Sequence, residues 1–352
     1  MKFIPGLELS ERFYHEVVKE LIDKYSASLR YSAGLLGYGS DVLGFDTETS
    51  TDHNWGPRLT LFLENEQLVP ELGIHLRKNL PREFCGYSTN FSPKGADGTQ
   101  RMTSASGNEI NHLIEVRGIE SYFCSALGRN VEAMANPDWL RVPEQILLEV
   151  TAGKVFHDGL GRLASYRERL SYYPSDVRTL RVAAYWDCIA NEEAFLGRAI
   201  EMGDMMGIRL LVGRLVTWLM KICFAIRKRY CPYSKWLSLS FQDLGLTDIG
   251  KSIDKLLAFA DAPSIAERMA TLCLDVLRLQ NESGDYPVVA RTVQDYYGRP
   301  YEVIMAGDIV DQLRGSIEDE RMRGLDLLPV ALDGKVVSLD FTDSNIMERI
   351  IP

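Results

Sequence analysis

Gly37-Tyr-Gly-Ser-Asp-Val-Leu-Gly-Phe-Asp-Thr-Glu-Thr-Ser-Thr-Asp52-His-Asn54-Trp-Gly-Pro-Arg-Leu-Thr-Leu-Phe-Leu63 joins a glycine-serine turn, a carboxylate-rich loop and an apolar run. Gly39 has no Cβ, so backbone N–H groups there can approach an anion, and the Ser40 hydroxyl adds a donor; this chemistry suits phosphate. Asp52 follows Ser40 by twelve positions. On an extended segment, residues i and i+2 share a face, so Asp52 and Asn54 are expected to point together while His53 and Trp55 point away. Phosphate donors beside hard oxygen ligands are what a magnesium–nucleotide site needs, because Mg²⁺ is held by one or two carboxylates together with the substrate phosphates. Asp41, Asp46 and Glu48 lie in the same loop and are further carboxylates within reach of a cation there, or simply solvated acids. Arg58-Leu-Thr-Leu-Phe-Leu63 alternates as a strand, and Gly56-Pro57 marks a bend before it.

Upstream, Ser10 begins a helix that places Phe13, Val17 and Leu21, and Tyr14, Val18 and Ile22, at helical spacing. Downstream, Glu71 to Leu80 is expected as helix and Cys85 to Phe91 as strand. Ser92 to Asn108 is rich in glycine, serine and threonine and carries Lys94 and Arg101, a loop expected to lie over a bound ligand. His112 to Gly118 reads as a strand, with His112 three residues before Glu115, on the opposite face and without a chemical role. From Asn136 the periodicity changes. A helix through Glu144 to Thr151 and a tight hairpin over Gly153 to Gly161 are followed by amphipathic stretches at 176–190, 192–206, 208–229 and 264–281, the pattern of a helical bundle. The expected organisation is an α/β domain with a mixed sheet over residues 1–135, a helical bundle over 136–282, and a mixed segment over 283–352 that packs back on the body. That last segment includes a short strand at Lys335 to Asp340.

The chain of 352 residues is 46% hydrophobic and 25% charged, ordinary values for a globular protein, with a formal net charge of −10. A net acidic chain makes nucleic acid an unlikely partner, since that affinity rests on Lys and Arg displacing phosphate counterions. The six cysteines contain no Cys-x-x-Cys pair, the N-terminus has no apolar leader, and no apolar run is long enough to span a membrane; a cytoplasmic protein with reduced thiols is expected.

Gly39-Ser40, the spacer and Asp52-His53-Asn54 resemble the nucleotidyltransferase superfamily of the polymerase-β type, in which glycine-serine precedes Asp-x-Asp or Asp-x-Glu on a strand. Asp52-His-Asn54-Trp-Gly-Pro-Arg-Leu59 is similar to the Asp-His-Asp-Trp-Gly-Pro-Arg-Leu signature of a bacterial nucleotidyltransferase-like family, domain of unknown function 4037. The likeness continues through Asp138-Trp-Leu140, Gly153 to Asp158, Tyr173-Pro-Ser-Asp176, Gly203-Asp204 and Tyr230 to Trp236. It implies a Mg²⁺-dependent transfer of a nucleoside monophosphate from an NTP, with ATP the expected donor, to a small-molecule or protein acceptor, releasing pyrophosphate. Asp52, Asn54 and the later-strand carboxylate Glu115 would hold the metal, with Glu120 the competing candidate. Asp52 and Glu115 would be catalytic, and Gly39 and Ser40 would bind phosphate. Lys235 lies in the cation-rich Arg227 to Trp236 run at a helix end and would meet the triphosphate, although a helix C-terminus favours cations in any case. Asn54 stands where the signature has Asp and removes one negative charge from the metal site. The alternative reading is a nucleotide- or partner-binding protein that keeps the fold without turnover.

Overall fold

The computed structural model describes residues 2–105, 107–258 and 264–335, so the strand expected at Lys335 to Asp340 lies almost wholly outside the described residues. The chain divides into two compact units, one of residues 1–134 with 146–171 and one of residues 135–145 with 172–352.

The first unit is built on a four-stranded mixed sheet. Its strands are β1 (Tyr31–Leu35), β2 (Arg58–Leu63), β5 (Leu113–Gly118) and β6 (Lys154–Asp158), in the order β5-β2-β1-β6; β3 (Glu83–Phe84) and β4 (Tyr87–Ser88) form a separate small hairpin. β1 runs antiparallel to both β2 and β6, whereas β2 and β5 are parallel, with Thr60 opposite Glu115. All six residues of β2 are buried. Leu59, Leu61 and Leu63 join Tyr31, Ala33 and Ile114 in a core with helices α1 (Gly6–Phe13), α2 (Lys19–Tyr25) and α4 (Val69–Asn79). A π-helical turn, Tyr14–Val18, joins α1 to α2, and there the Tyr14 and Tyr31 hydroxyls meet at 2.9 Å. On the opposite sheet face Phe62 packs against Tyr122 and Phe123 of α5 (Ile119–Leu127), and Phe123 against Tyr166 of α8 (Leu163–Arg169).

The hairpin expected over Gly153 to Gly161 is not what forms. Residues 154–158 are a single strand that pairs with β1, more than a hundred residues earlier. The backbones come so close that a Cβ on Gly34 would lie 2.7 Å from the Lys154 carbonyl oxygen, which is why that position is glycine.

Among its described residues the second unit is helical apart from one hairpin. Its longer helices are α9 (Ser175–Ala190), α10 (Glu193–Glu201), α11 (Met205–Ile226), α13 (Thr247–Leu257) and α14 (Ile265–Glu282), followed by the hairpin β7 (Gln294–Tyr296) and β8 (Arg299–Val303) and by α15 (Gly307–Gly315). Helix α9 is buried around most of its circumference, as expected of a central helix. Its Trp186 is fully buried and donates to Gln280 Oε1 at 2.8 Å, so the indole N–H has a partner inside the core. The hairpin returns to α10, where a Cβ on Gly197 would collide with the Tyr301 ring at 2.6 Å. Buried Glu193 accepts from the backbone N–H groups of Ile304 (3.0 Å) and Ala306 (2.8 Å) and so fixes the chain as it leaves β8. Glu193→Ala leaves both donors unsatisfied and is expected to destabilise this unit by about 2 kcal/mol. An unchanged urea midpoint would show that water replaces the carboxylate without cost.

Candidate functional site

A cavity of about 480 Å³ opens in the first unit where β1 ends and β2 and β5 begin, walled by Tyr38, Arg58, Lys94, Gln100, Glu115 and Arg117 among others. Strand alternation explains this wall. Arg58 and Thr60 face away from the leucine core, and Glu115 is the parallel-strand neighbour of Thr60. Tyr122 and Ser125 come from α5, and Glu149 from α7 (Glu144–Thr151). The loop after β4 contributes Lys94 and Gln100. It folds on itself through Phe91 paired with Met102 and through the Ser92 N–H donating to the Arg101 carbonyl at 2.8 Å.

Arg58 is the best-buried charge on this wall. Its guanidinium donates to both Asp41 oxygens, Nε to Oδ2 at 2.9 Å and Nη2 to Oδ1 at 2.7 Å, and Nη2 also donates to the Tyr38 carbonyl at 2.8 Å. Burial alone would penalise the charge, but Asp41 more than offsets that, and the Arg58 pKa is held above its usual value. The pair fills the glycine-serine turn: a Cβ on Gly39 would lie 2.2 Å from Asp41 Oδ1 and 2.5 Å from Arg58 Nη2, and the Gly39 φ of +131° is itself a glycine conformation. Ser40 opens the short helix α3 (Ser40–Leu43). The Arg58 fork is therefore occupied by Asp41, and of its nitrogens Nη1 is the one left to donate elsewhere.

The expected metal ligands take other positions. Asp52 does not lie on an extended segment. It ends a 3₁₀ turn, Glu48–Asp52, is largely exposed, and accepts from His53 Nδ1 at 2.9 Å, a contact that lowers its pKa. Asn54 has φ +49°, so the backbone turns there and the shared face expected for Asp52 and Asn54 is lost. The Asn54 N–H donates to the Gln100 carbonyl at 2.7 Å and its Oδ1 accepts from the Gln100 N–H at 2.8 Å, which clamps the 92–101 loop. Glu115 does line the cavity and pairs with Arg117 Nη1 at 2.8 Å. Asp46 Oδ2 accepts from the Gly6 N–H at 2.7 Å and from Trp55 Nε1 at 2.8 Å, which anchors the start of α1. Glu48 is exposed, and Glu120 pairs with Arg162 at 2.7 Å. Lys235 belongs to the second unit, where its ammonium lies 4.8 Å from the centre of the Trp236 ring.

As the side chains stand, the expected ligands are not gathered into a preformed magnesium donor set. Among the described residues no three His, Cys, Asp or Glu side chains gather as a metal-binding group. Each expected ligand is instead engaged with a protein donor.

Residues 139–237 match a family model described as Domain of unknown function (DUF4037). The DUF4037 match begins after β5 and so includes, of the cavity wall, only residues contributed by α7. No curated protein matches the chain. Among solved structures, the crystal structure of a nucleotidyltransferase-like protein from Exiguobacterium sibiricum 255-15 is similar, with a TM-score of 0.36 at 12% identity, covering 78% of this chain and 77% of that one. Among the described residues no helix is long and apolar enough to cross a membrane.

Several residues of the wall carried no weight in the sequence. His112 lines the cavity with Glu115. It accepts from the Ile114 N–H through Nδ1 at 3.1 Å, which puts its proton on Nε2. Burial lowers its pKa to about 4, while the backbone at Gly73 and Ile114 pulls the other way. Tyr122 is kept protonated by burial, with Glu115 and Glu149 acting in the same direction, so its hydroxyl remains a donor. Arg58 carried a signal after all: a charged residue opening a strand that is otherwise apolar but for Thr60 must be buried with a partner or lie at the strand's mouth.

Proposed function

We propose that the first unit binds a nucleotide by its phosphates in the cavity at the mouth of β1, β2 and β5, and that it does so without a preformed two-metal centre. The observation that carries this reading is the wall itself, on which Arg58, Lys94 and Arg117 outnumber the carboxylates Glu115 and Glu149 and Gln100 and Ser125 add neutral hydrogen-bonding groups. Guanidinium groups donate to phosphate oxygens; Arg58 is held rigid because Nε and Nη2 are committed to Asp41 and the Tyr38 carbonyl, and Nη1 is the donor left to a ligand. The exposed ring of Tyr38, over which the Arg58 guanidinium lies at 5.5 Å, offers a flat face for a base. A cavity of 480 Å³ falls within the range of about 300–1,000 Å³ usual for small-molecule sites.

A second reading is favoured by Glu115, the one expected ligand on the wall. In it, Glu115 and Asp52 would hold Mg²⁺ bound together with an NTP, and the ion would supply the charge stabilisation needed for nucleotidyl transfer to a small-molecule or protein acceptor. Titration calorimetry with ATP in EDTA and in Mg²⁺ separates the two. The binding reading expects ATP to bind in EDTA, with Lys94→Ala and Arg117→Ala each weakening it about tenfold, or about 1.4 kcal/mol. Binding that requires Mg²⁺ and vanishes in Asp52→Ala or Glu115→Ala would replace it with the transferase reading. No heat at millimolar ATP in either condition would remove both.

A further inference from the structure

The second unit holds a buried amine against a buried thiol. Lys221 lies on α11 and is 8% exposed; Cys231, five residues past the helix end, is 5% exposed. They meet because α11 ends in a tight reversal. Lys228 takes a φ of +52°, and the Arg229 N–H donates to the Phe224 carbonyl at 3.0 Å, which turns the chain back along the helix. The Cys231 N–H then donates to Glu144 Oε1 at 3.0 Å, which sets the backbone and leaves the sulfur beside the lysine. Lys221 Nζ donates to Cys231 Sγ at 3.7 Å, and the thiol lies 3.5 Å from the Pro232 carbonyl oxygen.

We propose that this pair is a redox-modification site at which hydrogen peroxide joins Lys221 to Cys231 through a sulfur–nitrogen bond. Peroxide first oxidises the thiol to the sulfenic acid, with one water leaving. The Lys221 nitrogen, having given up a proton, attacks the sulfenic sulfur; the hydroxyl leaves as water with a second nitrogen proton, and the sulfenamide remains. In sum, thiol, ammonium and one peroxide give sulfenamide, two waters and one proton; sulfur loses two electrons and peroxide gains them. A cation beside a thiol favours the attacking thiolate, which makes the first step selective for such a cysteine. At the other buried thiols burial opposes ionisation, and at Cys223 the nearby Arg227 offsets it only in part. Cys223 is fully enclosed and burial pushes its pKa up to about 12, and Cys273 is likewise raised by burial and by Glu193. The bond ties the segment entering α12 (Ser234–Gln242), with Tyr233 and Lys235, to the body of α11.

The test treats the full chain with hydrogen peroxide, alkylates remaining thiols and digests with trypsin. Lys221 in an S–N bond is no longer a cleavage site. The expected result is a several-fold loss of cleavage after Lys221, a linked Lys221–Cys231 species lighter by two hydrogens, and full recovery on dithiothreitol treatment. In Lys221→Arg, Cys231 is expected to stop at the sulfenic acid and be trapped by dimedone. Dimedone adducts equal in wild type and Lys221→Arg, with Lys221 still cleaved, would overturn the proposal. So would a Cys231 that stays a free thiol or proceeds to sulfinic acid in wild type. The wild-type measurement stands alone should the variant fail to fold.

Discussion

Arg58→Ala is expected to destabilise the first unit by about 3–5 kcal/mol, because it leaves the Asp41 carboxylate buried without its counter-charge. Asp41 is 1% exposed, and both of its oxygens accept from Arg58. The alanine also removes the donor to the Tyr38 carbonyl and opens the space that forces glycine at position 39. Arg58→Lys is no rescue, since one ammonium cannot reproduce three contacts made by a planar fork. The combined change Arg58→Met with Asp41→Leu is expected to recover most of the loss, because it removes the charge together with its partner. Hydrogen exchange of the β2 amides reads the first unit apart from the second. If Arg58→Ala shifts their opening energy by less than about 1 kcal/mol, the scale of one ordinary hydrogen bond, the pair is not what holds the turn. The same variant is expected to lose ATP binding, and the double variant separates the two effects: stability returns while binding does not.

What the sequence disclosed follows from how local each signal is. β2 was legible because Arg58 to Leu63 is bounded by Gly56-Pro57 and filled with strand-forming residues, and α4, α9 and α14 were legible from helical spacing. β6 was not. Its partner is β1, and nothing within Gly153 to Gly161 distinguishes a strand joining a distant edge from a hairpin closing on itself. The change of texture near Asn136 lies beside the division at residue 134, but the return of residues 146–171 to the first unit depends on the same long-range pairing. In the quoted stretch the residue types were legible and their contacts were not. Asp46 reads as a loop acid until the Gly6 N–H and the Trp55 indole both point at it. Asn54 reads as a weakened metal ligand, yet its left-handed φ and its two contacts with Gln100 give the amide a structural task. Arg58 and Asp41 are seventeen residues apart with no repeating spacing between them, so only the fold shows that they meet.

Acidification is expected to destabilise the first unit through His112, with about 3 kcal/mol lost between neutral pH and pH 4, at 1.36 kcal/mol for each unit of pKa difference. The sign follows from a pKa that is lower in the folded state. The ordinary imidazole titrates near 6.5, and burial brings the folded value down to about 4. At neutral pH both states carry a neutral ring and the contribution is complete. As pH falls below 6.5 the unfolded chain takes up a proton that the folded chain refuses, so stability declines until the folded ring titrates near 4. The tautomer explains the refusal. Nδ1 is committed as the acceptor of the Ile114 N–H, so a second proton would displace that contact and place charge in a buried position where Arg77 also disfavours it. His112→Asn keeps an acceptor for Ile114 and removes the titration, so its stability curve should be flatter over this window. β5 hydrogen exchange at pH 7, 5 and 4 checks it: equal losses in wild type and His112→Asn would mean that the ring gains its proton in the folded cavity as readily as in the unfolded chain. Such a result would also change the wall itself, because an imidazolium beside Glu115 would join Arg58, Lys94 and Arg117 as a fourth cation and make phosphate binding tighten in acid.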